Sequence, residues 1–138
     1  MPPRKTFADT FFWLALLNPR DAAHGRARAL NRALASSGLV TTVEVLTEML
    51  ATMSGGGPYW RGMAVRVVRR LLNAHNVEVI PQDRAGFLDA LDLYGRRLDK
   101  GYSLVDCRSM LVMSSRGIAE VLTNDHHFTQ EGFTILFP

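Results

Sequence analysis

Cysteine is nearly missing from this chain. The one present, Cys107, excludes an internal disulfide and fits a reducing compartment, so a cytoplasmic location is expected. No apolar run approaches the roughly 20 residues that a membrane-crossing helix needs, so no membrane partner is expected. The acid Asp9 arrives before any long apolar region, and the first residues do not read as a secretory leader. Internal repeats and low-complexity tracts are absent. Gly55-Gly56-Gly57 has no strand before it and no Lys-Ser/Thr after it, which excludes a Walker-type phosphate loop.

What remains is an ordinary globular composition, 47% hydrophobic and 21% charged. The length of 138 residues suits one domain, residues 1–138, with a core of its own. The net charge is +3 and the isoelectric point about 9.5. If some of the thirteen acids gather in one pocket, the rest of the surface is more basic still. A basic body around an acidic pocket suits a polyanion drawn to a metal site.

Strand and helix signals alternate. Lys5 to Asp9 reads as a short buried strand, and Thr10 to Leu17 as an apolar helix stopped by Asn18-Pro19. Pro19 is placed to open the next helix, Arg20 to Ser36. Gly38 to Thr41 is the second strand. Thr41-Thr42-Val43-Glu44 matches a capping box for a helix running to Met53. Ser54 to Pro58 reads as a surface loop, followed by a helix from Tyr59 to Ala74 with Val65, Val68, Leu71 and Leu72 inward. Val77 to Ile80 is a strand. Asp83 to Leu98 is a helix with Phe87, Leu91, Tyr94 and Leu98 in register. Ser103 caps a helix reaching Arg116. Ala119 to Thr123 and Phe133 to Phe137 are the last strands. This alternation predicts an α/β domain with a mainly parallel sheet of four to five strands.

Four acids stand out against that pattern. In an open α/β sheet, ligands bind beyond the carboxyl ends of the strands. Asp9 follows the first strand, Asp125 follows a later one, and Asp106 opens a helix; such openings commonly face the same edge. Each has a plainer role open to it: Asp9 as a helix N-cap, Asp106 as the third residue of a capping box, Asp125 as a turn residue. Glu44 and Glu48 share one helix side, and Glu48 is preferred because Glu44 already serves the box with Thr41. Glu48 has the plain alternative of a solvated helix face. Carboxylates so gathered need protons or a hard divalent cation, and Mg²⁺ or Mn²⁺ suits all-oxygen ligation. A cation held this way activates water and stabilises phosphoryl charge, which is the chemistry of phosphodiester hydrolysis. Thr10, Ser103 and Thr123 lie close in sequence and can hydrogen-bond ligand or water, or simply cap helices and favour strand. Arg61, Arg66, Arg69 and Arg70 ride one helix and can contact the phosphates of a polyanion, or can form an ordinary solvated face.

Phe7-Ala8-Asp9-Thr10, Thr41 to Glu48, Ser103 to Met110 and Leu122 to Phe128, in that order and with Gly132-Phe133 before the final strand, resemble the PIN domain family, specifically its VapC-type ribonuclease toxins. The resemblance spans essentially the whole chain. It implies a three-layer α/β/α fold and metal-dependent cleavage of RNA, with the family's four acids falling on Asp9, Glu48, Asp106 and Asp125 and Ser103 as a supporting hydroxyl. It also implies a small antitoxin partner and a homodimer. An RNA-processing nuclease without an antitoxin, and a module of the same fold that binds RNA or protein without cutting, remain the alternatives.

Overall fold

A computed structural model describes residues 4–137. Among them, five strands form one all-parallel sheet in the order β3-β2-β1-β4-β5: β1 is Thr6–Ala8, β2 Leu39–Thr42, β3 Val77–Ile80, β4 Glu120–Leu122 and β5 Thr134–Ile135. The chain builds outward from β1 to β3, then crosses back to place β4 on the other side of β1. Crossovers run in both directions from β1, and the right-handedness usual for parallel crossovers then puts helices over both sheet faces. The strand composition agrees: β1 and β2 are buried at every residue, as a two-sided parallel strand must be. The place where strand order reverses flanks β1, and its carboxyl edge is the natural ligand crevice of such a sheet.

Seven helices lie among the described residues. Helix α1, Thr10–Leu17, is apolar on all sides and is correspondingly interior, with Phe12, Trp13 and Ala15 fully covered. Helix α2 is His24–Leu34, shorter than the expected Arg20 to Ser36. Pro19 does not open it. The Asn18 side chain accepts the Arg20 N–H and the Asp21 side chain accepts the Ala23 N–H, so these residues spend their amides on turns before the helix begins. Helix α3, Val43–Met53, is capped by Thr42, which accepts the Val45 N–H at 3.1 Å. The expected box from Thr41 to Glu44 is therefore replaced by a cap one residue later. Glu44 is engaged instead by Arg108, at 3.0 Å.

Helix α4, Pro58–Asn73, turns Ala64 and Leu71 fully inward, with Val67 and Val68 partly covered. Val65 and Leu72, expected inside, are exposed. Helix α5, Arg84–Arg96, shows the larger departure. Asp83 caps it by accepting the Gly86 N–H at 2.7 Å, and its inner face is Gly86, Ala90 and Leu93. The stripe expected to be core, Phe87, Leu91 and Tyr94, lies 42–50% exposed, and Leu98 beyond the helix is 86% exposed. Small residues face inward because α5 packs closely on α6, Leu104–Arg116. Helix α6 ends at Gly117, whose φ of +66° is the left-handed turn that closes it. A short helix α7, His127–Gln130, lies between β4 and β5 where sequence patterning gave no helix signal. The last strand is shorter than Phe133 to Phe137, although its pairing continues as the Phe137 N–H donates to the Thr123 carbonyl at 3.2 Å.

The two faces of α5 against the sheet core give a direct test. Leu122→Ala, at a fully buried site on β4, is expected to cost about 2–5 kcal/mol. Leu91→Ala, on the open face of α5, is expected to change stability by no more than about 0.5 kcal/mol. Urea denaturation of the two variants checks both values.

Candidate active site

The carboxyl ends of β1 and β4 are adjacent, and each is followed at once by an acid. Asp9 leaves β1 at the N-cap position of α1, yet its side chain makes no capping bond. It turns into the crevice, where it is only 6% exposed. Its Oδ2 accepts the Thr123 hydroxyl at 3.0 Å, while its Oδ1 is buried with no partner. The same Thr123 oxygen accepts the Asp125 N–H at 3.2 Å, so one hydroxyl ties the two acid-bearing strand ends together.

Asp106 and Ser103 form a reciprocal capping box at the start of α6. The Asp106 N–H donates to Ser103 Oγ at 3.0 Å, and the Ser103 N–H donates to Asp106 Oδ2 at 2.9 Å. Asp125 makes a tight turn, its Oδ1 accepting the His127 N–H at 2.9 Å. The plain roles of Asp106 and Asp125 are thus real, and both still reach the crevice. Glu48 projects from the second turn of α3, and its Oε1 accepts the Thr10 hydroxyl. Glu44, one turn earlier, points to Arg108 instead.

Electrostatics record the convergence. Burial, above all, pushes the Asp9 carboxyl up to about 7; the charges of Asp106 and Glu48 add to the rise, and the Thr10 amide and Thr123 hydroxyl oppose it. Burial likewise raises Asp106, with Asp125 and Glu48 adding to it and Ser103 opposing. All four acids therefore lie within one another's electrostatic reach through Asp106 and Asp9. The tightest group is Asp106, Asp125 and His127, which offer ligand atoms all within 4.8 Å of each other. His127 was not among the sequence-derived site residues; its only sequence signal is its place two residues after Asp125. The donor set of carboxylate oxygens, with the orphaned buried Oδ1 of Asp9, fits a hard divalent cation.

The surroundings are unequal. Beside Glu48 a trough of about 340 Å³ is lined by Phe87, Ala90, Leu104, Val105 and Arg108. Of the arginines on α4, all exposed, Arg61 stands near the start of the helix and donates to the Ser54 carbonyl. Arg69 and Arg70 stand at its end, just before β3 begins. That is the amino edge of the sheet, away from the acids. Arg66 lies between them.

The profile of the PIN domain family matches residues 6–133. The chain is 31% identical over 132 residues to the 23S rRNA-specific endonuclease VapC20 of Mycobacterium tuberculosis, covering 96% of this chain and 98% of that protein, in both the CDC 1551 and H37Rv strains. The crystal structure of VapC20, described as a sarcin-ricin loop cleaving toxin, superposes with a TM-score of 0.81 at 28% identity, over 94% of this chain and 96% of that one. FitAcB from Neisseria gonorrhoeae shares the fold at a TM-score of 0.65 and 14% identity, over 94% of this chain and 95% of that one.

The buried acid sets a pH dependence. The folded chain keeps a proton on Asp9 up to about pH 7, whereas the unfolded chain releases it near 3.8. Stability from this group is complete below the unfolded value and is lost as pH rises toward the folded one, at up to about 1.4 kcal/mol per unit. In chelator, wild-type stability is expected to fall relative to Asp9→Asn between pH 4 and 7. Denaturant titrations at several pH values check it, and parallel curves would exclude an ionising Asp9.

Proposed function

The chain belongs to the PIN domain family, and from that premise we propose that it is a divalent-metal-dependent endoribonuclease, acting as the toxin of a toxin–antitoxin pair. One observation carries the reading: four acids from four separated segments converge on one sheet edge, and the most buried of them keeps an oxygen without a partner. Asp9, Asp106 and Asp125, with Glu48 beside them, would hold the cation, which when bound would supply Lewis acidity toward a scissile phosphate and offset the carboxylate charge. The chain's own residues do the positioning. Thr123 fixes the Asp9 carboxylate and the turn at Asp125. Ser103 fixes Asp106 through its amide and hydroxyl, so it supports the acid without facing a ligand. Thr10 orients Glu48, leaving its second oxygen to take a proton or hold water at the crevice.

The RNA strand approaches from the side of the trough beside Glu48, where Phe87 offers a face for a base. Arg61, in the adjoining hollow that shares Thr47 and Ala51 with the trough, supplies phosphate affinity beside it, with Arg66 behind; Arg69 and Arg70 contribute through the long-range field more than by contact. Because VapC20 carries the name of a 23S rRNA-specific endonuclease, ribosomal RNA is the first substrate class to try. The apolar side chains that α5 leaves open, Phe87, Leu88, Leu91 and Tyr94, suit a second copy of the chain or an antitoxin helix.

Purified protein is expected to cut 23S ribosomal RNA with Mn²⁺ and to stop with chelator. Asp9→Asn and Asp106→Asn are each expected to lower the rate by about 10²-fold or more. Gel analysis of timed digests measures this, and undiminished cutting by the double variant would remove the proposal. Intact RNA together with silent Mn²⁺ calorimetry would instead favour a binding module, in which Asp106 and Asp125 serve only their cap and turn.

A further inference from the structure

His127 stands at the crevice in a state that its own hydrogen bonds do not explain. Its Nδ1 is buried and has no hydrogen-bond partner. Two carboxylate oxygens face it, Asp125 Oδ1 at 3.3 Å and Asp106 Oδ2 at 4.0 Å, and it hydrogen-bonds to neither. Asp125 Oδ1 is already taken by the His127 amide, and Asp106 Oδ2 by the Ser103 amide. A ring nitrogen that faces two carboxylate oxygens without hydrogen-bonding to either is placed to share a cation with them. Three neighbours bound the ring. Gly101 lies close enough that a Cβ there would make ordinary contact with Cε1 and Nε2, at 3.4 Å. Tyr102 meets it edge-on with centroids 5.3 Å apart. Phe128, fully buried, anchors the short helix that carries it.

We propose that His127, through Nδ1, is a nitrogen ligand to the divalent cation held by Asp106 and Asp125, and that this donor makes the centre select Mn²⁺ over Mg²⁺. The proposal rests on the cation-dependent reading above. The ligand atoms of the three residues lie within 4.8 Å of one another, and donors sharing one ion sit up to about 4 Å apart, so small side-chain rotations suffice. A second observation lies beside this group: Asp9, 6% exposed, keeps an unpartnered Oδ1 at the neighbouring strand end, which Thr123 ties to Asp125. Three carboxylates alone would suit Mg²⁺, which keeps oxygen ligands and water. An imidazole nitrogen shifts preference toward transition-series ions, where affinity rises from Mn²⁺ onward.

The test uses the full chain, stripped with chelator and loaded with Mn²⁺. Pulsed electron paramagnetic resonance is expected to show nitrogen modulation from a coordinated imidazole, present in wild type and in His126→Asn and absent in His127→Asn. Calorimetry is expected to show Mn²⁺ affinity falling about 10-fold or more in His127→Asn, with Mg²⁺ affinity changed much less. Wild-type Mn²⁺ binding without nitrogen modulation, abolished by Asp9→Asn, would overturn this proposal while leaving the cation-dependent reading intact. No Mn²⁺ binding to wild type would overturn both. Equal losses of Mn²⁺ and Mg²⁺ affinity in His127→Asn would reduce the histidine to a positioning residue and overturn the claim of selectivity. Should His127→Asn fail to fold, the wild-type spectrum with and without ¹⁵N-histidine decides alone.

Discussion

The burial of carboxylates at one sheet edge governs everything around it. Burial raises the Asp9 and Asp106 carboxyls, and the neighbouring acids add to that rise. Each acid here has its own local compensation, and two of those come from residues next to a different acid. Thr10 follows Asp9 in sequence but hydrogen-bonds Glu48. Thr123 precedes Asp125 by two residues but hydrogen-bonds Asp9. Ser103 steadies Asp106 through its amide, and the His127 amide steadies Asp125. The acids are therefore cross-tied, so displacing one strand end or helix start disturbs more than one carboxylate. What the cross-ties leave unmet is the second oxygen of Asp9, and that deficit distinguishes this cluster from four unrelated caps and turns.

Much of this was legible in the residues because it depends on local rules. Asn18-Pro19 stopped α1 where expected, Ser103 capped α6 with Asp106 as its reciprocal partner, and the strand–helix alternation gave an all-parallel sheet. Failures fell where tertiary packing decides between faces. On α5 the apolar periodicity of Phe87, Leu91 and Tyr94 was genuine, but the close approach of α6 required Gly86 and Ala90 beneath it. On α4, Leu71 turned inward as expected and Val68 partly so, while Val65 and Leu72 stayed exposed. No local signal says whether an apolar stripe meets its own core or is left open. Preferring Glu48 over Glu44 rested on a capping box that does not form; Glu44 is turned aside by Arg108, 64 residues away in sequence, a partner no spacing argument can supply. His127 was invisible as a site residue for a related cause, since its relevance lies in the unmet nitrogen and not in any motif.

The Glu44–Arg108 pair has a further structural meaning. It joins the helix bearing Glu48 to the helix bearing Asp106, with both side chains only 13% exposed. Such a pair adds little net stability once desolvation is counted, but losing one partner strands a buried charge. Its geometric effect is to hold two acid-bearing helices at a set separation from the wall of the trough beside Glu48, so part of the site's geometry lies in residues other than the four acids.

Strand order has a temporal side as well. The neighbours β1 and β4 stand side by side in the sheet, yet Asp9 and Asp125 are separated by most of the polymer. During synthesis the first acid leaves the ribosome long before the last exists, and β1 must wait with one edge unmatched until β4 arrives. A growing or truncated chain thus has no fractional version of this centre. Whatever chemistry the assembled acids perform, it begins only after translation has passed Asp125 and the sheet has closed around its oldest strand.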